Sequence, residues 1–412
     1  MAMVVKNNMS AISTLNTLNK NSSALSKSLQ KVSSGMKING AADDASGYAI
    51  SERMRVQIRG LDQANQNTQN GSSMMKVAEG AVSSTVDILK TLKEKVINAA
   101  NDTNTDADRQ TIQKELDQSI DQINDNANVT YNGKYLVDGS HNSKVSATTT
   151  SMTNQSLNTG TAFASTFTQL TDRNGNSLNI QTSDTITLSY VKEGKTHTVT
   201  ATGASTITNI LAEGTAANDL KAGTATSVIG KDIAGDTVFT ADGSSGLTIT
   251  AAGTGIENQI SGITFSVTDT KGNVKKSANA LLDNFSESIR AQNPSNDNSI
   301  NLQVGTKSNQ AIKVGLTDMR AEALGLQAKD GTTLNISTKE YANAAINVLD
   351  SAVQKALDQQ TTIGAVQSRL EYTSSNLTTA SENVQSSEST IRDADMAKEM
   401  TNYTKNNVLM QA

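Results

Sequence analysis

The chain has 412 residues, a net charge of −5, one proline and no cysteine. Aromatic residues make up 3% and the apolar set 36%, so no thick core can run the length of the protein, and thin elements each hiding one stripe are expected. The absence of cysteine excludes disulfides and thiolate chemistry, the spread charge leaves no nucleic-acid footprint, and no apolar run is long enough to span a membrane. The N-terminal apolar run (MAMVV) is too short for a secretory signal peptide, which fits either a cytosolic protein or one exported by a signal-peptide-independent route.

In chain order, residues 4–36 carry a first seam of apolar or small residues: Ala11, Leu15, Leu18, Ser22, Leu25, Leu29, Val32 and Met36. Gly35, Asn39 and Gly40 break it, and Asp43 or Asp44 supplies an N-cap for a helix beginning near Ala45. From Gly47 to Ala99 a second seam holds steps of three and four through Ile50, Met54, Gln57, Leu61, Ala64, Thr68, Gly71, Met75, Ala78, Val82, Thr85, Leu89, Leu92 and Val96. A period of 3.5 places these on one side of a helix roughly 75 Å long, stable only against another helix. Asn101 to Asp106 is turn chemistry, and the helix after it, with Ile112, Leu116, Ile120, Ile123 and Ala127 on one face, is expected to return antiparallel. Asn132-Gly133 then turns the chain.

Between 141 and 296 Thr, Ser, Gly and Ala dominate and the period becomes two. Ile186, Leu188 and Tyr190, then His197 and Val199 after Glu193-Gly194, read as one hairpin; Val238-Phe239 and Leu247 to Ile249 around Asp242-Gly243 read as another. A strand through Ile263, Phe265 and Val267 runs to Lys271-Gly272, and helical patches fall near Ser205–Leu211 and Asn279–Arg290. Pro294 marks the exit of this inserted, mostly β region. Residues 299–316 form one more hairpin turning at Lys307 to Gln310. With Ser337 or Thr338 as cap, a third seam then runs through Ala345, Leu349, Ala352, Ala356, Gln359, Ile363, Val366, Leu370, Thr373, Leu377, Ala380, Val384, Ser387, Ile391 and Ala394. The expected fold is mainly α: an elongated coiled-coil or helical bundle formed by both chain termini plus a β-hairpin, with an inserted mostly-β outer domain.

Competing site chemistries are weak. His141 and His197 stand alone in a polar region, without the several spaced ligands of a zinc site or a His-Glu-x-x-His helix. Adjacent Asp43 and Asp44 suit capping better than acid–base work. Gly243 and Gly246 precede no Gly-Lys-Ser/Thr, Met74 and Met75 fill the seam, and nothing pairs a nucleophile with a base, so neither an enzyme nor a cofactor is expected. The Ser and Thr of 141–296 read as plain solvated surface rather than O-glycan acceptors.

Several stretches resemble the bacterial flagellins. Ser33 to Asn39, Ala42 to Gly47, Arg59-Gly60-Leu61 and Ala78 to Ala81 look like the family's N-terminal signature. Gly364 to Leu370, Asn376-Leu377 and Ile391 to Asp395 look like the C-terminal one, and Asn301 to Gly305 and Ala323 to Leu326 also match. The resemblance covers roughly 1–140 and 299–412. It implies a structural subunit that polymerises into the flagellar filament for motility, extracellular, exported by the flagellar type III apparatus. Implied partners are copies of itself, an export chaperone, and cap and hook-associated proteins. It implies a terminal coiled-coil filament core from 1–45 and 376–412, a helical rod domain from 46–140 and 297–375, and a variable outer domain from 141–296. Leu15, Leu18, Leu25, Leu29, Val32, Leu377, Val384 and Ile391 would then form the filament-core seam. Many flagellins are also detected by a host Toll-like receptor, and the matching stretch is Leu89, Thr91, Lys93, Glu94, Lys95 and Ile97, with Glu115. Thr91 stands where strongly detected members have arginine and Lys95 where they have leucine, which implies weakened signalling. Family members usually continue past the position matching Ala412, so the resemblance implies a shortened inner helix and weakened polymerisation. The alternatives are a hook–filament junction protein, which shares the terminal design, and an adhesin using 141–296, against which the lack of an aromatic platform for sugar counts.

Overall fold

The computed structural model describes residues 8–223 and 225–411. The first seven residues, whose apolar run was read above as too short for a signal, and Ala412, where the inner helix is expected to stop, lie outside them. Among the described residues the helices are α1 (Met9–Ser34), α2 (Ala45–Ala99), α3 (Asp106–Ala127), α4 (Ile207–Leu211), α5 (Ala216–Asp219), α6 (Lys276–Leu282), α7 (Ala321–Leu324), α8 (Lys339–Arg392) and α9 (Met396–Gln411). The strands are β1 (Thr130–Tyr131), β2 (Lys134–Tyr135), β3 (Ser151–Asn154), β4 (Thr185–Lys192), β5 (Lys195–Thr202), β6 (Leu220–Ala222), β7 (Val228–Lys231), β8 (Thr237–Phe239), β9 (Leu247–Ala251), β10 (Ile260–Thr268), β11 (Phe285–Ile289), β12 (Ile300–Gln303) and β13 (Ala311–Val314). The chain divides into two compact units: one of Met1–Ser72, Leu302–Ile312 and Arg369–Ala412, the other of Ser73–Asn301 and Lys313–Ser368.

In the first unit α1 starts at Asn8, whose side chain accepts from Ala11 N at 3.2 Å, and stops at Gly35, held at φ 71° where a residue with a Cβ is disfavoured. Asp44 Oδ1 accepts from the nitrogens of Ser46 and Gly47, each at 3.0 Å, and so caps α2 as expected. The early part of α2 runs antiparallel to the late part of α8. Ser374 Oγ donates to Asn65 Oδ1 at 2.7 Å and Ser381 Oγ to Asp62 Oδ1 at 3.0 Å, with Leu61, Ala64 and Leu377 buried together. Here the expected register needs two corrections. Gln57 is exposed and Ile58 turns inward, with Ser51 buried where Ile50 was expected; Ser387 is exposed and Glu388 turns inward. Gln57 and Ser387 are polar, so no apolar side chain holds the repeat to the expected position at these two places. The β12–β13 hairpin lies on α2 at a notch of two glycines: a Cβ on Gly60 would stand 2.9 Å from Thr306 Cγ2, and one on Gly71 2.7 Å from Leu302 Cδ1. The seam position Gly71 is thus where the hairpin seats, fixed further by Asn67 Nδ2 donating to Gln303 O at 3.2 Å.

In the second unit the seam of α2 is closed: Met75, Ala78, Val82, Leu89, Val96 and Ala99 are each fully buried. Opposite them α3 returns antiparallel, begun by a capping box between Thr105 and Asp108 and anchored by Arg109, whose Nε donates to Ala99 O at 2.9 Å. Thr338 caps α8, accepting from Tyr341 N at 3.2 Å, and Leu349, Ala352, Ala356 and Ile363 are fully buried along it.

The inserted region holds a three-stranded sheet, β10-β4-β5, and a four-stranded one, β11-β3-β9-β6, sharing one apolar cluster that includes Tyr190, Phe265, Phe167 and Ile249. β4 and β5 form the expected hairpin, with Tyr190 opposite His197. Two expectations are corrected. Val238-Phe239 and Leu247 to Ile249 do not pair with each other: β8 pairs with β7, and β9 with β3 and β6, so the Asp242-Gly243 turn links two sheets. The helix expected over 279–290 ends at Leu282 because Asn154 Nδ2 takes the carbonyls of Leu281 and Leu282, at 2.7 and 3.3 Å, and β11 follows. The strands entering and leaving the insert pair through Val145 and Ser295, and Pro294 falls beside that bridge, where no ladder donor is required.

Asp283 caps this turn, its Oδ1 accepting from Phe265 N, and burial pushes its carboxyl up to about 7. A folded pKa raised above the unfolded value stabilises below about pH 4 and loses that contribution as pH rises through about 7. Thermal unfolding of the insert is expected to fall across that window by an amount on the order of a few kcal/mol at most, and Asp283→Asn is expected to remove the slope.

Candidate assembly surface

Along α1, residues 8–20 are all exposed although they include Met9, Ile12, Leu15 and Leu18, spaced by three. Leu15 is 57% exposed, Leu18 45% and Leu29 52%, while Leu25 and Val32 are half-buried. On α9, Met396, Met400, Val408, Leu409 and Met410 are exposed as well. α9 packs on the later part of α1: Asn406 Nδ2 donates to Ser28 Oγ at 3.3 Å, and Ser28 is buried. A contiguous apolar stripe left bare on a helix is a place for another chain, since covering each such side chain contributes about 1.5–3 kcal/mol. Of the expected seam residues on α8, Leu377 is buried and Val384 and Ile391 are half-buried against the same unit. The expected seam therefore divides: its α8 members are mostly covered, and its α1 members mostly are not.

Sequence reasoning passed over the clasp at the base of this surface. The links leaving α1 and α8 bridge at Met36 and Asp393, with Lys37 N donating to Arg392 O at 2.7 Å and Ala394 N to Gly35 O at 3.0 Å. The Arg392 guanidinium is buried, donates from Nη1 to Glu52 Oε1 at 2.7 Å and to Ser51 Oγ at 3.3 Å, and lies 5.4 Å from the centre of the Tyr48 ring. It holds the Glu52 carboxyl below the usual carboxylate range. The signal was an arginine among small polar residues, which looks like solvated surface until its partner 340 positions away is known.

The second stretch singled out, at the end of α2 and on α3, is surface with one exception. Thr91, Glu94, Ile97 and Glu115 are exposed, Lys93 pairs with Asp350, and Lys95 Nζ lies 3.0 Å from Glu115 Oε1. Leu89 is fully buried, because its seam position turns it inward, and it presents no surface. The two histidines have local partners: His141 Nδ1 lies 3.2 Å from Asn298 O, and His197 stacks on Tyr190 at 5.2 Å.

These surfaces belong to a chain with long terminal helices that pack together and a strand-rich middle region. Residues 5–142 match the model of the bacterial flagellin N-terminal helical region, and residues 346–412 that of the bacterial flagellin C-terminal helical region. A flagellin of Clostridium tyrobutyricum is 35% identical over 99% of this chain and 96% of its own length. A flagellin of Bacillus subtilis is 29% identical over 100% of this chain and 93% of its own. Among solved structures, a flagellar hook-associated protein from Legionella pneumophila superposes at a TM-score of 0.36 and 15% identity, covering 82% of this chain and 97% of that one, too loose a fit to carry an argument. The chain belongs to the flagellin family. Its role is that of a structural component of the extracellular flagellar filament, not that of an enzyme.

Leu89→Ala is expected to destabilise the second unit by about 2–5 kcal/mol, while Ile97→Ala stays within about 0.5 kcal/mol of the parent; chemical denaturation of the two variants checks both.

Proposed function

We propose that copies of this chain polymerise through the bare stripe of α1 together with α9, so that the terminal helices become the filament core and the insert the outer face. The three-part division, with core from 1–45 and 376–412, rod from 46–140 and 297–375 and outer domain from 141–296, is part of that reading. The observation that carries it is the exposed run of residues 8–20 with Ile12, Leu15 and Leu18 in helical spacing. Among the described residues nothing covers these side chains, and a stack of copies would supply partners for them. Export through the flagellar type III apparatus, with a chaperone holding these helices beforehand and a cap protein guiding addition, fits a chain whose ends are apolar and unfinished.

The same reading makes the 91–97 and 115 surface the face met by the host flagellin-sensing Toll-like receptor. Thr91 offers no guanidinium there, and Lys95 is already paired with Glu115. Signalling below that of strong agonists is expected, and Thr91→Arg combined with Lys95→Leu should raise it in reporter cells; an unaltered dose–response would contradict the assignment.

Polymerisation is tested by seeding the parent chain and a Leu15→Asp, Leu18→Asp variant and pelleting the product. The variant is expected to keep the parent's monomer unfolding curve and to stay in the supernatant. Equal pelleting of the two would remove α1 from the interface.

A further inference from the structure

A cluster of buried polar groups where β10 and β11 meet α8 serves neither assembly nor the helical seams. β10 is held close to α8: a Cβ on Gly262 would stand 3.1 Å from Val348 N, and Asn347 Nδ2 donates to Ile263 O at 3.3 Å. One residue before β10, Gln259 is 2% exposed, and Lys355, two turns further along α8, is 5% exposed. With the amide turned as its partners require, Gln259 Oε1 accepts directly from Lys355 Nζ and Nε2 donates to Ala323 O at 3.2 Å. Glu287 on β11 completes the group: its Oε1 lies 3.5 Å from Lys355 Nζ, both side chains are almost fully buried, and this oxygen makes no hydrogen bond. Burial pushes the Lys355 amine down, against the opposing pull of the Glu287 carboxylate, and the Arg290 charge adds to the fall. An amine whose charged form burial disfavours, a carboxamide in contact with it and a carboxylate beside that amine are the components of an acyl transfer.

The geometry points to an intramolecular isopeptide bond between Lys355 Nζ and Gln259 Cδ, formed without an enzyme. Glu287 takes a proton from the Lys355 ammonium. The freed Nζ attacks Cδ, forming the new C–N bond and a tetrahedral centre. Glu287 returns the proton to the departing amide nitrogen, the Cδ–Nε2 bond breaks and ammonia leaves, and Glu287 then takes the extra proton left on Nζ, so that a neutral amide remains. One amide replaces one amine and one carboxamide, and no oxidant or co-reactant is needed. Ammonia has a way out, because Lys355 also lines an open cavity of about 420 Å³ together with Arg290, Gln292 and Arg320. The bond ties the start of β10 to α8 and closes a loop from 259 to 355, so the insert stays tethered to that helix when the surrounding packing yields.

Mass spectrometry of the purified full chain tests this. The denatured protein is expected to be lighter than its sequence by one ammonia. Trypsin is expected to release a branched peptide in which residues 232–271 are joined to residues 340–369, with cleavage after Lys355 blocked. Glu287→Gln keeps Lys355 and Gln259 and is expected to leave the full sequence mass and a free Lys355. Separate linear peptides ending at Lys271 and Lys355 from the parent chain would overturn the bond. So would an ammonia loss that persists in Lys355→Arg, since it would then lie elsewhere, as at an Asn-Gly pair. A Glu287→Gln chain cross-linked like the parent would overturn the role given to Glu287.

Discussion

Covering an apolar stripe on a long helix is the constraint on which this protein depends. With 36% apolar residues and 3% aromatics, the chain has little to bury. It places that little at every third or fourth position, so that small residues such as Ala64, Ala78, Ala352 and Ala356 let helix backbones approach closely. From Met75 to Ala99 the stripe on α2 is sealed, and an antiparallel return by α3 is part of the seal. Where a β-element must meet a helix, glycine makes the room: Gly60 and Gly71 for the β12–β13 hairpin, Gly262 for α8.

The same pattern on α1 is left open. Its first twelve residues are all exposed, and only its later part is covered, by α9. What fixes the base of α1 is polar rather than apolar: the backbone bridge at Met36 and Asp393 and the Arg392 guanidinium buried against Glu52, Ser51 and Tyr48. A directional clasp of this kind fixes where α1 and α9 leave the helices below them without consuming the apolar stripe, which stays free to meet other chains.

Much of the helical part was legible in the sequence because a 3.5-residue period leaves few alternatives over fifty residues. Leu61 to Ala99 lie where the periodicity places them, and Asp44 and Thr338 cap the helices that local chemistry assigns to them. The register slipped where the stripe is thin, at Gln57 and Ser387, since a polar seam carries no period of its own. In the insert, the hairpin at Glu193-Gly194 was readable from its turn, but the partners of β9 were not. Its neighbours are β3 and β6, and pairing across such distances depends on which faces are buried rather than on a local signal. Arg392, Lys355 and Glu287 were missed for a common reason: charge in a sequence reads as surface, and only the fold reveals that each is buried with a partner.

The central claim is that α1 is a surface completed by other copies of the chain. Amide hydrogen exchange compared between the monomer and sedimented polymer measures this directly. The account predicts that exchange in residues 9–34 slows strongly on assembly while α3 and the sheet β10-β4-β5 exchange alike in both states. Equal protection of residues 9–34 in monomer and polymer would contradict it.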